Sequence, residues 1–309
     1  LTDLARSALA WPLDRGESAT KNQAAAELMA ARLERLAGEP GSRLALAWAD
    51  GRISGAGLIR LLAWDTEFFG CPCALIETLW ARGDNQRRFE TAHQVISDLR
   101  SWSDWQGVQF TTVKVPGPDP ILCQALESFG FYVTDNTACL SWSHDGDRPQ
   151  AELPAGFSFS SDRSDPEKIA RSFARLFYDG RFHNDARLAR DKADGLWQAA
   201  VLNQLQNEAS EILILEKGQE PVGLTTLKPI QAAGPEAEPA ACLFLLGVIE
   251  AHRGRGLGRV LLAETIRRFS PGYKRIEVET STFNRPALNL YQSMGFRLNQ
   301  IKLSLHWRR

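Results

Sequence analysis

The sequence predicts an α/β (α+β) protein in which one fold occurs twice, the first copy degenerate. Three observations predict it: a register that repeats at a constant offset, strand and helix patterns that alternate through the second half, and one glycine-rich turn between a buried strand and a helix. The repeat comes first. Residues 125–131 read Ala-Leu-Glu-Ser-Phe-Gly-Phe, and residues 290–296 read Leu-Tyr-Gln-Ser-Met-Gly-Phe. Their glycines, Gly130 and Gly295, stand 165 residues apart. The same offset carries Val113 onto Val278 and Trp142 onto Trp307. Chance supplies one Gly-Phe match, but not an ungapped register through strand, helix, turn and strand. A duplicated fold follows. The polar stretch at residues 143–149 reads as the linker, giving domains 1–150 and 151–309.

In the second half, residues 157–160 (Phe-Ser-Phe-Ser) alternate as a strand does. Asp165 and Pro166 open an amphipathic helix to Phe177, with proline in the first turn, where its missing donor does no harm. Residues 191–206 read as a second helix. Residues 211–215 and 222–227 are strands about the turn at 217–219, a hairpin. Residues 242–249 are apolar on both faces, the pattern of a central strand. Residues 258–269 form a helix with Val260, Leu261, Leu262 and Ile266 apolar. Residues 275–280 form a strand, 286–294 a helix ended by Gly295, and 296–307 the strand that closes the sheet. The order is β-α-α-β-β-β-α-β-α-β.

The chain has 309 residues, 44% hydrophobic and 24% charged, enough for two cores. A net charge of −1 lacks the basic field of a nucleic-acid binder. No apolar run approaches the ~20 residues of a membrane span, and no signal-peptide pattern opens the chain. The five cysteines, Cys71, Cys73, Cys123, Cys139 and Cys242, are odd in number and scattered, unlike a disulfide framework. Cys71 and Cys73 lack the two-residue spacer of a zinc knuckle, and no metal site is expected. Reduced cysteines without a targeting segment point to the cytoplasm. The sequence admits a homodimer without requiring one.

The strand that ends at Val248 runs into Arg253-Gly-Arg-Gly-Leu-Gly-Arg259, and a helix follows at once. Glycines let backbone approach a ligand closely. The unpaired amides at a helix start converge on one place, and the helix dipole reinforces them. Arg253, Arg255 and Arg259 add positive charge, so the expected guest is a phosphate or pyrophosphate. A nucleotide P-loop needs Lys-Ser/Thr after its glycines, and none follows. A dinucleotide fold needs Gly-x-Gly-x-x-Gly, and position 259 is arginine.

The remaining pattern, Arg-x-x-Gly-x-Gly at 253–258, resembles the acetyl-CoA loop of the GNAT superfamily (GCN5-related N-acetyltransferases). Downstream, residues 284–296 carry Asn284, Ala287, Leu290, Tyr291, Gly295 and Phe296 at the spacing of that superfamily's second signature. The likeness covers roughly residues 157–309. It implies a GNAT fold with a mixed, splayed central sheet, preceded by a degenerate partial GNAT-like half. It implies acetyl-CoA as cofactor: backbone of the strand at Leu246 and Val248 on the pantetheine arm, residues Arg253, Gly254, Arg255, Gly256, Leu257, Gly258 and Arg259 about the pyrophosphate, and Asn284 on the arm. It makes Tyr291 the general acid at the sulfur. Glu277 and Glu279 share one face of their strand. Glu279 stands where ribosomal-protein N-terminal acetyltransferases carry a base acting through water, with His183 and Glu250 as weaker alternatives. In the first copy, Leu126 stands at the position of Tyr291, and residues 88–93, without glycine, at that of the loop. That copy should not bind acetyl-CoA and is expected to support or wall the acceptor pocket.

Two further segments, residues 64–70 (Trp-Asp-Thr-Glu-Phe-Phe-Gly) and 181–185 (Arg-Phe-His-Asn-Asp), resemble the TDP-fucosamine (WecD-like) acetyltransferases. That likeness runs from about residue 61 to the C-terminus. It implies transfer to a 4-amino-4,6-dideoxyhexose on a nucleotide diphosphate, with Trp64, Asp65, Phe68, Arg181, His183 and Asp185 as acceptor residues. Trp64 and Phe68 can stack on a sugar or base. Arg181 can clamp a diphosphate, and His183 and Asp185 can bond hydroxyls or the amine. A small-molecule amine is thus the first reading. Glu279 keeps a peptide or protein amine open, and a catalytically silent acyl-CoA-binding module is the third reading.

Overall fold

The computed structural model describes residues 33–117, 119–143, 149–173, 176, 180–230 and 238–309. The first copy contains β1 (Ser42–Ala49), β2 (Arg52–Leu61), α1 (Ala63–Phe69), β3 (Cys73–Ala81), α2 (Asn85–Trp105), β4 (Phe110–Pro116), α3 (Pro120–Ser128) and β5 (Tyr132–Ser143). The second contains β6 (Phe157–Ser160), α4 (Pro166–Phe173), α5 (Arg190–Gln206), β7 (Glu211–Lys217), β8 (Glu220–Ile230), β9 (Ala240–Val248), α6 (Leu257–Phe269), β10 (Arg275–Ser281), α7 (Arg285–Ser293) and β11 (Arg297–Arg308). The 165-residue offset maps β4 onto β10, α3 onto α7 and β5 onto β11 residue for residue. Every element expected in the second half is present. The expected end of α4 at Phe177 and the linker at 144–148 lie outside the described residues. Among the described residues no helix is long and apolar enough to cross a membrane. The five cysteines form no disulfide among the described residues, and burial pushes the Cys73 thiol up to about 12 and Cys123 to about 11.

Local chemistry explains the helix starts. The Asp165 side chain accepts from the Lys168 amide at 2.9 Å, with Pro166 next in the chain. Asn284 accepts from the Ala287 amide at 3.2 Å, and proline again occupies the first turn. Gly295 ends α7's turn with φ 88°.

The chain divides into two compact units, and the division falls inside β5 and β11. One unit holds the described residues up to Asp135 together with Ile301–Arg309; the other is Asn136–Gln300. Strand order is β1-β2-β3-β4-β11 in the first and β5-β10-β9-β8-β7-β6 in the second. The expectation that residues 296–307 close their own sheet is therefore corrected. β11 pairs antiparallel with β4, from Lys302↔Pro116 to Arg308↔Phe110. β10 pairs with β5, from Arg275↔Ser143 to Ser281↔Thr137. Each copy lends its last strand to the other. The repeated tryptophans show the exchange directly: a Cβ on Gly130 would lie 3.6 Å from the Trp307 indole, and one on Gly295 3.6 Å from that of Trp142.

In the second unit, one face of the sheet packs Ile276, Val278 and Leu243 against Leu262 and Ile266 of α6 and Tyr291 of α7. β5 adds Ala138, Leu140 and Trp142 to that core. On the other face, Ile169 and Phe173 of α4 and Val201 and Leu205 of α5 cover Ile212, Ile214, Leu224 and Leu245. Trp142→Ala should cost about 3–5 kcal/mol in urea unfolding. It should also speed amide exchange in β10. Unchanged β10 exchange would contradict the strand exchange.

Candidate active site

The site begins where two strands part. β9 and β10 pair in parallel only from Ala240↔Arg275 to Leu243↔Val278. β9 runs on to Val248 and β10 to Ser281 with no further pairing between them among the described residues. The β8 register slips at the same place: Thr226 faces Leu245 and Leu227 faces Leu243, leaving Phe244 as the extra residue. Such a bulge bends its strand and increases its twist. Residues 244–248, including Leu246 and Val248, thus present a strand edge toward the gap, where an extended ligand can bond.

Beyond Val248 the chain makes a 3-10 turn at Glu250–His252 and enters the glycine loop. Gly254 and Gly256 have φ of 73° and 76°, a region that strains other residues. A Cβ on either would meet nothing within 4 Å, so the backbone there is bare. The amides of residues 254–258 take no backbone acceptor among the described residues, whereas those of Arg259 and Val260 both close on the Gly256 carbonyl. No side chain caps α6. The cradle suits a diphosphate: close backbone approach, converging donors and the positive end of a helix. The His252 imidazole is pushed below its ordinary range, first by burial and then by Lys217 and Arg255. Arg255 is exposed, and Arg259 donates to the Ser293 hydroxyl at 3.2 Å.

Arg253 is employed differently from its neighbours. Its Nε donates to the Val248 carbonyl at 3.0 Å and an Nη to the Leu176 carbonyl at 3.4 Å, bracing the loop against the end of β9. Leu176 in turn lies on Gly247, where an added Cβ would come within 2.2 Å of its methyl. Gly247 was not singled out from sequence, though a glycine inside a buried strand is a sign of close approach.

Tyr291 is 4% exposed, its ring 5.4 Å from that of Phe296. Burial, then Cys242, pushes its hydroxyl above the usual phenol range. Asn284 spends its side-chain oxygen on the α7 cap, leaving its amide nitrogen for a ligand. Glu279 is exposed and lies on the strand face opposite Ile276 and Val278. The Cys139 thiol of β5 donates to it at 3.6 Å.

The acceptor candidates fall in different units. Trp64, Asp65 and Phe68 are in the first, on α1, which buries none of its residues. Trp64 is 40% exposed and stacks on Phe68 at 5.7 Å. Arg181, His183 and Asp185 are in the second. Arg181 lies 4.7 Å over the Phe182 ring. His183 Nε2 meets the Asp194 carboxylate at 2.9 Å, while Nδ1 is buried without a hydrogen-bond partner among the described residues. Asp185 is buried and accepts from the Arg187 amide at 2.9 Å.

Residues 170–296 match the model of the acetyltransferase (GNAT) family. N-acetyltransferase 8F1 of Rattus norvegicus is 31% identical over 113 residues, covering 36% of this chain and 50% of that protein. The chain spans about half the length of the curated relatives it matches. Two solved structures share the fold over nearly the whole chain. A tandem GNAT protein from the clavulanic acid biosynthesis pathway has a TM-score of 0.59 at 18% identity, covering 99% of this chain and 94% of that one. A GCN5-related N-acetyltransferase from Sphaerobacter thermophilus has a TM-score of 0.65 at 14% identity, covering 99% and 91%. Residues 170–296 are thus similar to the GNAT acetyltransferases, and the strand order and the parted strands agree with that likeness.

Proposed function

We propose that the chain is an acetyl-CoA-dependent N-acetyltransferase with its cofactor site in the second unit. The observation that carries this is the run of bare amides at 254–258, placed at the start of α6 directly after a strand that leaves its neighbour. When bound, acetyl-CoA supplies an activated acyl thioester and a thiol leaving group. The cradle amides hold the diphosphate, with Arg255 and Arg259 adding charge. The edge of β9 at Leu246 and Val248 orients the pantetheine arm, and a free amide near Val248 polarises the carbonyl. Arg253 holds the loop in place through Val248 and Leu176. Glu279, acting through water, takes the proton of the attacking amine. Tyr291 gives its proton to the departing sulfur. The burial that raises this phenol acts on a thiolate at the same place in the same sense, so donor and acceptor stay matched.

For the acceptor, the small-molecule reading rests on the resemblance to the amino-sugar nucleotide enzymes. Arg181, His183 and Asp185 of the second unit are the polar set of that reading. A cytoplasmic location accompanies that reading. The exposed carboxylate of Glu279 favours a second reading, a peptide or protein amine, because it lies on an open strand face.

Thiol release from acetyl-CoA with a panel of amines tests the proposal. Tyr291→Phe should lower turnover by about 10²-fold or more while coenzyme A binding is retained. Unchanged turnover would remove Tyr291 from the chemistry. Tight coenzyme A binding with no release from any amine would favour a silent binding module. The same variant has a stability signature. The folded chain holds the Tyr291 proton more tightly than the unfolded chain does, so that stability is full below the free phenol value of about 10 and is lost as pH rises toward the folded value. Urea unfolding above about pH 10 should therefore show a smaller loss for Tyr291→Phe than for the wild type.

A further inference from the structure

We infer that the first copy keeps the outline of the cofactor site but fills it permanently with its own side chains, so that the chain carries one coenzyme A site and not two. The inference rests on reading residues 254–258 as the cradle of the second copy.

The parting of the strands survives in the first copy. β3 and β4 pair in parallel from Cys73↔Phe110 to Ile76↔Val113, and β3 then continues to Ala81. The loop does not survive. α2 starts at Asn85, the position of Glu250, so residues 85–91 are helical where 250–256 form the 3-10 turn and most of the glycine loop. The Asp84 side chain accepts from the Arg87 amide at 2.9 Å, placing one of the chain's own carboxylates at the helix start. The three loop glycines, 254, 256 and 258, correspond to Phe89, Thr91 and His93. Phe89 packs on the first core. Thr91 sits over Gly55, where an added Cβ would come within 2.5 Å of its methyl. The His93 ring lies 4.5 Å from that of Phe129. Bare backbone has become side-chain packing.

The charges are replaced as well. At the same offset Arg88 corresponds to Arg253 and Asp119 to Asn284. Asp119 caps α3, accepting from the Leu122 amide at 3.2 Å, as Asn284 caps α7. Its carboxylate also pairs with the Arg88 guanidinium, whose Nε donates to the Ala81 carbonyl at 3.3 Å. The two side chains are only 11% and 4% exposed. The pair thus fastens together the end of β3, the first turns of α2 and the start of α3. In the second copy the uncharged Asn284 leaves the corresponding place open to an anionic ligand. A carboxylate there would repel a diphosphate, and a buried aspartate needs its cation.

Isothermal titration of the full chain with coenzyme A should give one equivalent. Gly256→Asp, which sets a carboxylate in the second cradle, should abolish binding entirely. Two equivalents in the wild type, falling to one in Gly256→Asp, would overturn the inference while leaving the cofactor reading intact; one equivalent in both would place the coenzyme outside the 254–258 cradle and overturn both. No heat with the wild type would strike down the cofactor reading and this inference with it. Asp119→Asn keeps the helix cap and removes the charge. It should lower Tm by several degrees and leave coenzyme A affinity unchanged. Arg88→Met added to Asp119→Asn should recover Tm. An Asp119→Asn chain as stable as the wild type, or no recovery in the double variant, would overturn the pair's part in the inference.

Discussion

The whole second unit turns on a parallel strand pair that stops halfway. Backbone donors and acceptors along residues 244–248 face a gap where the next strand would ordinarily satisfy them. Holding that gap open takes several devices acting together. The bulge at Phe244 bends β9 at the last paired residues. Leu176 presses on Gly247 from one face. Arg253 ties the Val248 carbonyl to the loop that follows. Apolar packing of Leu243, Ile276 and Val278 under α6 and α7 keeps the paired portion fixed. The gap is therefore a feature of the packed fold, and it leads straight to a helix start with bare amides.

The duplicated chain shows the same scaffold with two outcomes. Both copies keep the parallel pair that ends early, the capped helix after it and the Gly-Phe turn. In the second copy the loop stays glycine-rich and its amides stay unspent. In the first, helix extension and larger side chains consume the same space. The exchange of β5 and β11 gives the degenerate copy a continuing structural part. Ala138, Leu140 and Trp142, which come from its last strand, lie in the core that also holds Tyr291.

How much of this was legible in the sequence follows from the range of each interaction. The glycine loop, the α7 cap and the repeat are local patterns at fixed spacing, and the structure finds them at those positions. The partner of β11 was not legible. Trp142 and Trp307 sit at equivalent places on equally patterned strands, so periodicity alone cannot say which glycine turn each one covers. The bracing by Arg253 was hidden for a related reason: an arginine in an anion loop looks like a phosphate ligand until its carbonyl partners are seen. His183 and Asp185 read as free polar groups in sequence, yet they face Asp194 and the Arg187 amide.

On the proposed reading, coenzyme A lies along the open edge of β9 and in the cradle beyond it, and nowhere else in the chain. Hydrogen exchange measured with and without coenzyme A tests this most directly. Bound coenzyme A should slow exchange at residues 244–248 and 254–258 and leave residues 77–81 and 85–91 unchanged. Protection in the first copy's segments, or none at 254–258, would contradict it.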